Sequence, residues 1–129
     1  MQITEAQEMY LETILILLMS KKRVISIDVA RYMNYSKPTV SVMMKQFKNE
    51  GLIDMDFDNG ITLTEKGFLI AQKVYERHEM IAAFFIALGS DKKTAYEDAC
   101  KLEHDISDSN FNLLKKHYKD MKNKKETLY

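Results

Sequence analysis

The order of elements in the opening half of the chain constrains its fold more than any other feature. "TEAQEMYLETILILLMS" sets Met9, Tyr10, Ile14, Leu17 and Leu18 at helical spacing behind Thr4, a good N-cap, and predicts a helix over residues 5–20. "SIDVARYMN" predicts a short second helix opened by Ser26 or Asp28. "YSKPTVSVMMKQFKNEG" predicts a third, capped by Ser36, with Pro38 acceptable in its first turn and Gly51 as its stop. Directly afterwards, "LIDMDFDNGITLT" alternates apolar residues around Asp58, Asn59 and Gly60, the strongest hairpin signal in the chain. Three helices followed by a β-hairpin make a winged helix-turn-helix. Four glycines and one proline in 129 residues agree with a mainly α chain. The expected organisation is a winged helix-turn-helix domain over residues 1–70 and a helical domain over 71–129.

Charge is distributed unevenly along that pattern. The formal net charge is zero, yet residues 20–49 carry seven basic side chains against the single acid Asp28. Residues 50–65 reverse the sign, with five acids and no basic residue. A charge run alone is more often a solvated face than a binding site. Here, however, the basic run falls on the second and third helices, and in a winged helix-turn-helix the third helix enters the major groove of DNA. Lys37, Thr39 and Ser41, near its start, are candidates for groove or phosphate contacts, and Lys45 and Lys48 for phosphate or solvent. Pro38 and Val42 can pack on thymine methyls or serve structure alone, and Ser36 both caps the helix and borders this surface.

Beyond the hairpin, Thr64 is expected to cap a long helix ending at Gly89, with more apolar positions than one packing surface can use. A helix from Ser90 follows, with Ala95, Ala99, Leu102 and Ile106 as its apolar stripe. Ser107 then caps a last helix, "DSNFNLLKKHYKDM", before a lysine-rich tail. The helical remainder is short for an independent core, so a second copy of the chain is the expected partner. No apolar run approaches the roughly 20 residues of a membrane span, and the first ten residues lack a signal-peptide pattern, so a cytoplasmic protein without a membrane partner is expected.

The helix from Ser90 contains "AYEDACKLEHDIS", which puts Cys100, Glu103 and His104 on about one third of a helix circumference. Taken singly, Cys100 is more often buried filler, His78 a hydrogen-bonded core histidine, Met9 a core residue and Glu12 a solvated acid near a helix N-terminus. Together, imidazole, carboxylate, thiolate and thioether suit a transition metal. A di-iron enzyme would also combine Glu and His on helices, but its repeated Glu-x-x-His signature is lacking, as are nucleophile and phosphate-loop motifs. The chain is therefore not expected to be an enzyme.

"EMYLETI" at 8–14, "SKPTVSVMMKQFKNEGLI" at 36–53, "LTEKG" at 63–67, "RHEMI" at 77–81 and "EDACKLEHDISD" at 97–108 together resemble the metal-dependent repressors of the diphtheria toxin repressor family. The resemblance covers almost the whole chain and is to the short, manganese-regulator type, without the SH3-like domain of the longer iron-dependent type. It implies a helical domain for dimerisation, a homodimer on a double-stranded DNA operator, and a divalent metal, Fe(II) or Mn(II), as corepressor. Glu12, His78, Glu103 and His104 match metal-binding positions of the manganese type. Met9 and Cys100 match the iron type instead, where the manganese type has an aspartate and a glutamate. Ala82 and Tyr96 replace a glutamate and a histidine of the iron-type ancillary site, and Val42 replaces a glutamine of its recognition helix. The function implied is metal-activated repression of metal homeostasis genes; the alternative is a metal-independent winged-helix regulator.

Overall fold

The computed structural model describes residues 3–128, with side chains to residue 123. Its elements run α1 (Glu5–Ser20), α2 (Ser26–Met33), α3 (Lys37–Asn49), β1 (Ile53–Met55), β2 (Ile61–Leu63), α4 (Glu65–Ala87), α5 (Lys92–Leu102) and α6 (Asp108–Leu128). The fold divides into two compact units between Val74 and Tyr75. That break lies inside α4, a helix that runs through the residue-70 boundary without interruption.

In the first unit, α1 opens with a reciprocal capping box. Thr4 Oγ1 accepts from Gln7 N at 3.1 Å and Gln7 Oε1 accepts from Thr4 N at 3.0 Å, so two donors that a helix start leaves open are satisfied. α2 begins differently from expectation. Ile25, extended at φ −126° and ψ 170°, is the N-cap, and Asp28 reaches back to accept from Ile25 N at 2.9 Å. Asn34 closes α2 in the left-handed region, at φ 58°. For α3, Ser36 is the cap and Pro38 sits in the first turn, as the sequence predicts, and Gly51 takes the φ of +75° that turns the chain out of the helix.

α3 packs on α2 and β1, and α1 on α2 and β2. Phe47, Leu11, Ile14, Met44, Leu52 and Ile53 are among the first unit's largest fully buried apolar side chains. The hairpin is antiparallel, pairing Ile53 with Leu63 and Met55 with Ile61. Ile61 N also donates to Val24 O at 2.7 Å, which ties the hairpin to the link between α1 and α2.

In the second unit, Ile81, Ala82, Ala95 and Ala99 make the buried contact between α4 and α5, with Phe85, Tyr96 and Ile106 packed against it. Leu102, expected on the same stripe, is 45% exposed. Asp91 caps α5 in place of Ser90, its carboxylate accepting from Thr94 N at 2.9 Å. Ser107 caps α6, which continues through the lysine-rich tail to Leu128. Among the described residues, no helix is long and apolar enough to cross a membrane.

Candidate metal centre

α4 supplies His78, and the end of α5 supplies Glu103 and His104. The hydrogen-bonded helix stops at Leu102, earlier than "AYEDACKLEHDIS" suggests, and residues 103–105 form a turn. Glu103 nonetheless keeps helical dihedrals, φ −59° and ψ −27°, and its N–H still donates to Ala99 O at 3.0 Å. Its side chain therefore follows the inner face of α5. The carboxylate has no exposed surface and lies between two imidazoles, with His78 Nδ1 at 3.3 Å from Oε2 and His104 Nε2 at 3.1 Å from Oε1. The His104 ring is buried too, at 3% exposure.

An ionised carboxylate withdrawn from water needs matching positive charge. Two imidazole nitrogens and two carboxylate oxygens gathered in one place, borderline and hard donors together, are also a set that divalent first-row metals take. The residues present fit such a cation. Cys100 is half-buried on α5, three residues before Glu103. Met9, half-buried, and Glu12, buried at 6% exposure, belong to α1 of the first unit. Of the six expected ligands, then, the second unit itself brings together His78, Glu103 and His104.

Ala82 and Tyr96, which stand where the resemblance implies a glutamate and a histidine of the iron-type ancillary site, serve packing and a hydrogen bond here. Ala82 has no exposed surface and belongs to the helix contact. Tyr96 donates its hydroxyl to Glu79 Oε2 at 2.8 Å, and its ring centroid lies 5.5 Å from that of His78. The hydrogen bond to Glu79, then burial, raises the Tyr96 pKa above its ordinary value.

Sequence reasoning missed one buried cation beside this cluster. Arg77, at 8% exposure, donates to the carbonyls of Glu103 and Ile106 and to the Asp108 carboxylate. The signal was there: Val74, Arg77 and Ile81 follow i, i+3, i+7 spacing, which puts an arginine on an apolar stripe.

On the first unit, Ser36, Lys37, Pro38, Thr39 and Lys45 are exposed along α3, Ser41 is half-buried and Val42 is 67% exposed. Ser36 and Thr39 share a hydrogen bond of 2.6 Å between their hydroxyls, which leaves each able to make another. A groove of about 500 Å³ runs here, with Lys37, Ser41, Lys45 and Lys48 on one side and Asp58 and Asn59 of the hairpin turn on the other. The turn is held by Arg23, also missed from sequence as anything but charge. Its guanidinium grips the Asp56 carboxylate through two bonds, of 2.9 and 3.2 Å, and donates to Asp58 O at 2.8 Å.

Residues 2–61 match the iron dependent repressor N-terminal DNA binding domain, and residues 64–127 the iron dependent repressor metal binding and dimerisation domain. An HTH-type transcriptional regulator of Methanocaldococcus jannaschii is 38% identical over 114 residues, which cover 87% of this chain and 91% of that protein. The transcriptional regulator MntR of Escherichia coli is 37% identical over 82 residues, 64% of this chain and 53% of MntR. Among solved structures, the metal-dependent transcriptional regulator MtsR superposes with a TM-score of 0.80 at 30% identity, over 92% of this chain and 55% of that one. The manganese regulator SloR gives 0.74 at 31% identity with the same coverage. The chain thus spans about nine tenths of the Methanocaldococcus protein and about half the length of the other three.

Proposed function

This chain belongs to the iron-dependent repressor family, that of the diphtheria toxin repressor, and on that premise we propose that it is a cytoplasmic, metal-activated transcriptional repressor. It binds a double-stranded operator as a homodimer, responds to Fe(II) or Mn(II), and controls metal homeostasis genes. The observation that carries the reading is the buried Glu103 carboxylate held between His78 and His104, in a chain whose other unit presents a lysine-lined recognition helix.

The proposed assignment divides the chain into a DNA-binding domain, residues 1–70, and a metal-binding and dimerisation domain, residues 71–129. Lys37 and Lys45 neutralise phosphate, while Thr39 and Ser41 reach towards base edges, with Ser36 and Pro38 setting the helix start at the groove. The proposed ligands are His78, Cys100, Glu103 and His104 of the second unit with Met9 and Glu12 of α1, and an ion held by these residues would supply positive charge to the buried Glu103 carboxylate. Met9 and Cys100 bring sulfur where the manganese type has carboxylates, which favours Fe(II) or later metals over Mn(II). Metal binding would favour the dimer arrangement whose two recognition helices match half-sites about 34 Å apart.

A second copy has a surface to meet. In the second unit, Met80, Phe84, Phe85, Leu102, Ile106 and Leu114 line an apolar groove of about 600 Å³, and Leu88 and Leu113 are each 66% exposed. Apolar area of that kind marks an association surface.

The test is DNA binding by the purified chain to a duplex selected from a random pool, measured with chelator, with Mn(II), and with Fe(II) without oxygen. The reading expects either metal to tighten binding by roughly 5- to 150-fold, the usual range of allosteric coupling. Equal affinity in chelator and in metal would leave the metal-independent winged-helix regulator as the correct reading.

A further inference from the structure

Arg77 precedes the proposed ligand His78 on α4, yet its partners are all on another part of the second unit. Nη1 donates to Glu103 O at 3.1 Å and to Ile106 O at 2.7 Å, and Nη2 to the Asp108 carboxylate. The guanidinium carbon lies 5.2 Å from the centroid of the Phe111 ring. These four partners run from the C-cap of α5, through the connecting turn, into the first turns of α6. One side chain from α4 thus gathers the whole segment that bears Glu103 and His104.

A buried guanidinium is costly unless its donors are met, and here the two terminal nitrogens are met by groups that themselves need a donor, while Nε makes no hydrogen bond among the described residues. The Glu103 carbonyl belongs to the end of α5, where helix carbonyls lack intrahelical partners and favour a cation. A rigid planar fork presents its donors at fixed spacing to two carbonyls and a carboxylate, whereas an ammonium offers three donors from a single atom on a flexible stem and holds them less well in register. The grip also falls on the backbone of Glu103 itself, one residue before His104, and originates one residue before His78.

We propose that Arg77 is a positioning residue of the metal centre, fixing Glu103 and His104 against His78 so that the three donors are arranged before the ion arrives. The proposal rests on the reading that these residues bind a divalent cation. A purely structural arginine would affect melting and leave the affinity of the folded protein for metal alone.

The test is Mn(II) affinity by calorimetry on the full chain without DNA, alongside DNA binding at saturating Mn(II). Arg77→Lys keeps the charge but loses the fork; its Kd for Mn(II) should rise at least tenfold, while saturating Mn(II) restores DNA affinity to the wild-type value. Asp108→Ala, which frees only the outer anchor, should remain folded and show a smaller rise, about threefold. Wild-type Mn(II) affinity in a folded Arg77→Lys overturns the proposal, and so does wild-type affinity in Asp108→Ala if Arg77→Lys fails to fold. Loss of DNA affinity that saturating Mn(II) does not restore also overturns it. Glu103→Ala separates the two readings: if it binds Mn(II) like wild type, or wild type binds none, the metal centre itself is wrong.

Discussion

At the scale of single residues, Glu103 and His104 carry the sharpest expectations, because both side chains are buried and meet at 3.1 Å. Replacing either with alanine should abolish metal-activated DNA binding while circular dichroism still reports a helical fold; unchanged activation in both would remove the site. If Met9 and Cys100 coordinate as proposed, sulfur sets the metal choice. Met9→Asp combined with Cys100→Glu should move preference from Fe(II) towards Mn(II), read as the metal concentration giving half-maximal DNA binding. The reverse result, or free alkylation of Cys100 in metal-saturated protein, would put sulfur outside the coordination sphere. The residue types of this centre were visible in the sequence, since few other reasons gather His, Glu and Cys within two short motifs. Their exact support was not. Glu103 lies past the hydrogen-bonded end of α5, and Arg77 acts on carbonyls 26 and 29 residues away, which no local pattern encodes.

Among the elements, α3 and the hairpin carry separable expectations. Lys37→Ala should weaken DNA binding and lower the salt slope by about one, as for one lost phosphate contact, with metal affinity unaltered. Thr39→Ala and Ser41→Ala should instead change preference between operator variants, by about 1–3 kcal/mol for a good base contact. The hairpin turn depends on Arg23, Asp56 and Gly60. Asp56 Oδ1 accepts from Asp58 N and Gly60 N, and the space a Gly60 Cβ would take is filled by Arg23 and Asp56. The Arg23 guanidinium, then the Gly60 N–H, holds the Asp56 pKa down to about 2. A depressed carboxylate stabilises the folded state above its unfolded pKa, about 3.9, and loses that contribution as pH falls towards 2. In Arg23→Gln, NMR titration should show Asp56 moving up towards the ordinary range; an unmoved value would mean the backbone donors alone set it. Helix starts at Thr4, Ser36, Thr64 and Ser107 were legible because capping is local. The Ile25 start and the Arg23 clamp were not, since an aliphatic residue gives no capping signal and the clamp joins residues 33 apart.

For the whole molecule, the expectation of a winged helix followed by a helical domain holds, because the pattern of three helices and a hairpin has few packing solutions. The second unit is built on small residues, Ala82, Ala95 and Ala99, and leaves an apolar groove beside them. Phe84→Asp with Leu102→Asp should therefore yield a monomer in sedimentation and lose binding to a two-half-site duplex, whereas a dimer of wild-type affinity would place association elsewhere. The central claim is that metal and DNA binding are one coupled equilibrium, and linkage makes it directly measurable. The affinity for Mn(II) should be determined by titration with and without saturating operator duplex, and the affinity for that duplex with and without saturating Mn(II). Each ligand should tighten the other by the same factor, within roughly 5- to 150-fold, and Glu103→Ala should reduce that factor to one. A wild-type protein whose Mn(II) affinity is identical with and without the duplex would contradict that claim.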